Sequence, residues 1–385
     1  MRKMEGKQKM IVVSAIVLCV ALVIMGAMAF GKHQMSKIPE LTFRDVLEYT
    51  TRGNADAVIS VGIIQDGQTS WQVYGENGRV LPPELHTYEI GSLTKTFTAA
   101  LINKAILEKK ISIDDTIDNH LSLPAGKAYP TIRELLTHTS GYKGFYFESP
   151  MISNFLAGRN DFCGITREMI LKRTGRSNKA GGRFAYSNYG YAVLGLVLEA
   201  VCETEYTSLL NDFVQNELGL TSTRISDGSG DLGKYWDWKE NDAYLSAGAI
   251  TSTITDMLSY AKMQLEDHPS FSECHSSLKA ISASSESNRL MGIHMDEIGM
   301  SWIIDSQNNI IWHNGGTGNY NSYLGFHPET GTAVVVLSNL APQYRIPATI
   351  MGVKLLRELV EYPDVCLLIG VDFSQHPKYN RIKQT

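Results

Sequence analysis

Strand-forming stretches at the two ends of this chain, separated by a long helical middle, constrain its fold more than any other feature. Near the amino end, "AVISVGIIQDGQTSWQVYG" sets two β-rich runs on either side of Asp66-Gly67. That dipeptide suits a tight hairpin, whose central residues take positive φ. Near the carboxyl end, "MSWIID" and "NIIWH" read as one pair of strands, and "NSYLGFHPETGTAVVVLSN" as a second pair around Glu329-Thr330-Gly331. Between them, from about residue 114 to 220, apolar residues recur at the helical period. Thr131-Ile-Arg-Glu134 has the form of a capping box, "YAVLGLVLEAVC" and "YTSLLNDFVQNELG" are helical runs, and the second closes at Gly219. Further helices are expected from near Thr253, over about 346–361, and as a short piece around Phe43–Tyr49. Sequential hairpins make an antiparallel sheet, so both ends of the chain must meet in one sheet and the middle must stand beside it. The expected fold class is α+β: an antiparallel sheet of five or more strands flanked by helices, with an inserted helical subdomain at about 114–240. A cleft between two such lobes is a natural place for a site.

Composition narrows the partners. The 385 residues are 43% hydrophobic and 19% charged, enough for a substantial core, and a net charge of −5 offers no basic field for nucleic acid. The amino terminus points to a membrane instead. Arg2, Lys3, Lys7 and Lys9 precede an apolar run from Met10 to Phe30, about the ~20 residues that cross a bilayer. Cations on the amino side place residues 1–9 in the cytoplasm and the rest outside. Residues 10–30 are read as a transmembrane anchor, 31–52 as a juxtamembrane connector and 53–385 as the exported domain. A cleaved signal peptide ending near Ala27-Met28-Ala29, which would leave a secreted protein, is the rival reading. The five cysteines, Cys19, Cys163, Cys202, Cys274 and Cys366, show no metal-ligand spacing. Two disulfides are open to an exported chain, but scattered single cysteines more often serve as small buried hydrophobes. No metal or cofactor is expected.

Three short stretches carry chemistry. "GSLTKTFTAALINKAI" begins a helix at Gly91, and the i, i+3 spacing makes Ser92 and Lys95 neighbours on one face. "FAYSNYGYAVLG" places Tyr186, Ser187 and Asn188 just before another helix, and "WHNGGTGNYNSY" places His313, Asn314, Gly315 and Gly316 at a glycine-rich strand. Each alone has a plain explanation as a cap, a turn or a solvated lysine.

In this order they resemble the motifs of the penicillin-binding protein and class C β-lactamase-type serine hydrolases: Ser-x-x-Lys, then Tyr-x-Asn, then Lys/His-x-Gly. Here these are Ser92-Leu-Thr-Lys95, Tyr186-Ser-Asn188 and His313-Asn-Gly315. "LLTHTSGY", "SNYGYAVLG" and "SAGAITSTITDM" lie between them, and the likeness runs from about Ala57 to Glu361. The resemblance implies that Ser92 is the nucleophile, that Lys95 and Tyr186 handle its proton, and that the backbone N–H of Gly316 joins that of Ser92 as an oxyanion donor. It further implies that Asn188 holds Lys95 and a substrate amide. His313, standing where many relatives have lysine, would donate to a substrate carboxylate and orient Tyr186, and His138 is a framework residue. A Glu-x-x-Leu-Asn segment of the class A kind is missing, so deacylation would fall to the Tyr186/Lys95 pair.

The residue types fit that chemistry. A serine hydroxyl needs a base, and a lysine serves only if burial or neighbouring cations strip its proton. Alternatively an ammonium favours a tyrosinate, and the spacing does not choose between the two. Open glycines at 315 and 316 would let a substrate lie along the strand.

The expected protein is therefore a membrane-anchored, outward-facing serine hydrolase acting on D-Ala-D-Ala or other D-amino-acyl peptides of the cell wall. Rival readings are an esterase for substrates such as D-alanyl esters of teichoic acid, a β-lactamase, and a non-catalytic cell-wall binding module that keeps the fold.

Overall fold

The computed structural model describes residues 38–177 and 181–362. The segment 1–9, the apolar run 10–30, residues 31–37 of the connector, Cys19 and Cys366 lie outside the described residues. Among the described residues no helix is long and apolar enough to cross a membrane.

Helix α1 (Phe43–Thr51) is followed by strands β1 (Ile59–Gln65), β2 (Gln68–Tyr74), β3 (Val80–Leu81) and β4 (Tyr88–Glu89). A single 3-10 turn, Gly91–Leu93, leads into α2 (Thr94–Leu107). The middle carries α3 (Ile132–Leu136), α4 (Pro150–Ala157), α5 (Arg167–Thr174), α6 (Asn188–Cys202) and α7 (Tyr206–Asp212). Then come β5 (Arg224–Ile225), α8 (Leu245–Gly248), β6 (Ile250–Ser252), α9 (Ile254–Leu265), β7 (Lys279–Ala280), α10 (Glu286–Leu290) and β8 (Glu297–Ile298). The chain closes with β9 (Ile303–Asp305), β10 (Ile310–Gly316), β11 (Asn321–His327), β12 (Thr332–Ser338) and α11 (Ala348–Glu361).

Nine strands form one antiparallel sheet in the order β3-β2-β1-β12-β11-β10-β9-β8-β7. Both ends of the chain meet at its centre, where Val61 of β1 pairs with Val336 of β12. Asp66 and Gly67 turn the first hairpin with φ of 51° and 71°, as an Asp-Gly turn requires. Strand β12 is buried along its whole length because helices cover both faces. Val335 and Leu337 point into a core shared with α2, α6 and α9, while Val334 and Val336 point into a second core beneath α1 and α11. Helix α1 starts inside the stretch read as a connector, and its Phe43, Val46 and Leu47 are buried in that second core.

The small sheet β4-β6-β5 has no counterpart in the sequence reading. Its strands run two or three residues, too short for a periodic pattern to register. It matters because β4 leads directly into the turn that carries Ser92. Cys163, Cys202 and Cys274 are all free.

Candidate active site

Ser92 sits in the 3-10 turn and Lys95 in the first turn of α2, so local geometry alone brings them together: Lys95 Nζ is 2.9 Å from Ser92 Oγ. The turn is possible because Gly91 takes φ +51°. A Cβ on Gly91 would come within 2.5 Å of the Gly316 nitrogen, so β10 runs tight against the nucleophile turn. Gly315 has the same origin: a Cβ there would collide with the Ile90 carbonyl oxygen. The Ser322 hydroxyl of β11 donates to that carbonyl at 2.7 Å and fixes the contact. Gly315 is thus required by the protein's own backbone, a different reason from the open path for substrate expected of it. Gly316 ends β10 opposite Asn321, with its amide beside Gly91.

Lys95 is wholly buried. Its Nζ donates to the Ala247 carbonyl at 2.6 Å, and loss of water drives its pKa well below the ordinary lysine value. The hydrogen bonds that Lys95 makes among the described residues run to Ser92 and Ala247. That corrects the expectation for Asn188: it opens α6, is half-buried, and does not hold the amine. Capping of α6 falls to Ser187, whose hydroxyl accepts from Gly190 N–H at 2.9 Å.

Tyr186 reaches the same point from the opposite wall. Its phenol faces Ser92, whose hydroxyl is near enough to pull its pKa down, and its ring centre is 5.0 Å from Lys95 Nζ. The residue is 40% exposed, so the cleft is open along the ring. Protein crowded around the hydroxyl still pushes its pKa above the usual phenol range, against the opposing pull of Ser92. Tyr191, also over Lys95 at 5.5 Å, is fully buried.

His313 is buried on β10, with its ring centre 6.5 Å from that of Tyr186. Its Nδ1–H donates to the Asn314 carbonyl at 2.7 Å, which leaves Nε2 as an acceptor. Burial, with Lys95 adding to it, lowers the imidazole pKa to about 3. With its proton on Nδ1, a neutral ring presents Nε2 as an acceptor, whereas the lysine of many relatives is a donor.

Two residues outside the three motifs belong to this region. His138 lies 4.4 Å from the Tyr186 ring, and its Nδ1 accepts from Ser187 N–H at 3.0 Å, so the framework histidine steadies the segment carrying Tyr186. Glu89 was missed. It is buried beside the nucleophile turn, where its carboxylate accepts from Thr317 Oγ1 at 2.6 Å and Trp236 N–H at 2.7 Å. Its signal was an acidic residue inside the apolar run that enters Gly91. His294, Asp296 and Asp305 cluster within 4.8 Å, but both carboxylates are engaged by Ser306, Gln307 and Asn308 in a strand turn.

A basic amine stripped of water, a serine in contact with it and a second proton carrier, set under an amide-bearing strand, form an arrangement suited to acyl transfer. Residues 43–350 match the family model for Beta-lactamase. The chain belongs to the Beta-lactamase family. Its fold is that of β-lactamases and transpeptidases, and the family consists generally of serine hydrolases. Among solved structures it is similar to the octameric penicillin-binding protein homologue from Pyrococcus abyssi, with a TM-score of 0.65 and 21% identity, over 82% of this chain and 75% of that one. It is also similar to the β-lactamase/D-alanine carboxypeptidase from Yersinia pestis, with a TM-score of 0.63 and 19% identity, over 85% and 98% of the two chains. Protein flp of Staphylococcus aureus (strain MRSA252) is 24% identical over 280 residues, 67% of this chain and 53% of that protein. The chain spans about half the length of the curated relatives it matches.

Proposed function

We propose that this family member is a serine acyl hydrolase that forms an acyl-enzyme at Ser92 and cleaves D-amino-acyl peptides of the cell wall. The observation that carries the reading is the 2.9 Å contact between Ser92 Oγ and an amine buried away from water. A neutral Lys95 offers a lone pair, and the raised Tyr186 phenol is not a tyrosinate, so the directions of the two shifts favour lysine as the acylation base. Ser92 Oγ attacks the substrate carbonyl as its proton passes to Lys95. The oxyanion is held by the N–H groups of Ser92 and Gly316, and the proton leaves through Tyr186 to the departing amine. Water then enters by the reverse route and releases the acid.

The peptide substrate is supported by the likeness to a β-lactamase/D-alanine carboxypeptidase, and the apolar run 10–30 supports placement of the domain outside the cell at a membrane. An ester substrate, such as a D-alanyl ester, is the second reading. The neutral His313 favours it, since a peptide ending in a carboxylate would find no charge at that ring. Assay of the full chain against D-Ala-D-Ala peptides and D-alanyl esters side by side, with the trapped adduct mapped by mass spectrometry, tests both. An adduct on Ser92 is expected. Turnover of esters alone removes the peptidase reading, and an adduct elsewhere removes the mechanism.

A further inference from the structure

The two oxyanion donors of the proposed mechanism come from segments far apart in the chain, and their spacing has to be fixed. Ser92 N–H belongs to the turn that β4 enters, and Gly316 N–H to the last residue of β10. Strand β11 holds β10 on one side, where Gly316 pairs with Asn321. On the other side β9 stops opposite Trp312, so among the described residues no strand covers that edge from His313 onward. Here Ile90 and Gly91 press against Gly315 and Gly316. Backbone in contact with backbone stops two segments from closing, but it does not stop them from parting. Two side-chain ties do that. One lies at Gly315, where Ser322 donates to the Ile90 carbonyl. The other lies just past Gly316, at Glu89.

Glu89 Oε2 takes the Thr317 hydroxyl proton while Oε1 takes Trp236 N–H. Thr317 Oγ1 also accepts from Tyr320 N–H at 3.3 Å, and Thr317 N–H donates to the Tyr320 carbonyl at 2.9 Å, which closes the turn after β10. The hydroxyl thus has its proton on Glu89 and a lone pair on its own turn, which leaves it one orientation. Glu89 and Thr317 are 2% and 6% exposed, so water does not compete for either. The segment carrying Trp236 crosses the same join: Asn319 Nδ2 donates to the Lys234 carbonyl at 2.9 Å, and the Tyr235 and Tyr320 rings stack at 5.1 Å. A neutral side chain could fill this part of β4 without the desolvation that a carboxyl group suffers. What an acid adds is two strong acceptors turned towards different segments.

We infer that Glu89 is a positioning residue: through Thr317 it holds Gly316 N–H at the distance from Ser92 N–H that an oxyanion requires. The inference rests on the acyl-transfer reading of the site. A donor moved out of place loses its hold on the charge that develops in the transition state, while binding of the uncharged ground state hardly changes. Loss of the tie therefore belongs in the rate of the chemical step and not in affinity.

The test is saturation kinetics of the full chain with an ethyl fluorophosphonate, in which Ser92 Oγ displaces fluoride from phosphorus and the phosphoryl oxygen takes the oxyanion's place. Labelling is read by mass spectrometry. Its first-order rate reports on folded molecules and its amplitude on how many there are, so a variant that only unfolds loses amplitude. Thr317→Val keeps the shape and removes the hydroxyl. Its saturating rate should fall at least about tenfold, with the half-saturating concentration within about twofold of wild type. Thr317→Ser restores the hydroxyl and should regain most of that loss. Glu89→Gln should behave likewise, since its amide oxygen can accept from Trp236 and its amide N–H can donate to Thr317 Oγ1. Glu89→Met combined with Thr317→Val should be no slower than the slower single variant, because both cut one bond. A smaller fall in Thr317→Val, a change confined to half-saturation, a Thr317→Ser as slow as Thr317→Val, or single losses that multiply overturns the positioning role and leaves Ser92 standing. Should Glu89→Met not fold, the two Thr317 variants decide alone. Wild type that does not label at Ser92 loses the nucleophile, and the positioning role with it.

Discussion

The carboxylate of Glu89 accepts a 2.6 Å hydrogen bond from the hydroxyl of Thr317, joining the strand that enters the nucleophile turn to the residue after Gly316. The same carboxylate takes Trp236 N–H, so three segments that wall the cleft meet on one buried acid. Tyr235 and Tyr320 are the titratable groups that feel its charge.

Burial raises the Glu89 pKa from 4.5 to about 7. Between those values the folded protein keeps a proton that the unfolded chain gives up. The resulting stabilisation is full below pH 4.5, declines as pH rises towards 7, and is gone above it, a span worth about 3 kcal/mol. Glu89→Gln should remove this slope. Urea unfolding of both proteins at pH 5 and pH 8 checks it: the difference in stability between wild type and variant should change by that order across the window, and an unchanged difference would show that Glu89 titrates normally.

Lys95 has the opposite sign. Its folded pKa lies below the unfolded value, so the unfolded chain binds the extra proton and stability rises with pH through the interval between the two. Lys95→Met keeps most of the volume without that penalty. It should abolish acylation yet melt higher than wild type at pH 7, with the gap narrowing towards pH 10. Melting curves at both pH values decide it. A variant that melts lower throughout would mean that the Ala247 hydrogen bond outweighs the cost of holding lysine neutral.

Tyr186→Phe removes one hydroxyl from an open cleft and should leave the melting temperature within about a degree. Release of the leaving amine from a D-Ala-D-Ala peptide should slow by about a hundred- to ten-thousandfold, the usual range for loss of a proton carrier. Release within threefold of wild type would take Tyr186 out of the mechanism.

Gly315→Ala puts a methyl where the Ile90 carbonyl stands. Backbone has to move, so the variant should lose about 1–3 kcal/mol in denaturant unfolding together with most of its Ser92 labelling. Full stability with lost activity would instead favour a role in admitting substrate.

The α+β class, the first hairpin and the Ser92–Lys95 pairing were legible because each depends on neighbours in sequence. Asp66-Gly67 turns a hairpin anywhere, and residues three apart on a helix face one way in any surroundings. The capping box at Thr131 formed for the same reason, with Glu134 N–H donating to the Thr131 hydroxyl at 3.2 Å. Tertiary structure alone decided that Lys95 has no water, that His313 is uncharged and that the glycines of β10 answer to the Ile90 carbonyl. It also decided that the apolar residues of α4 face outward around a buried Asn154. Periodicity reports which residues share a face, but what covers that face, and hence every burial and every shifted pKa, comes from chain segments far away in sequence.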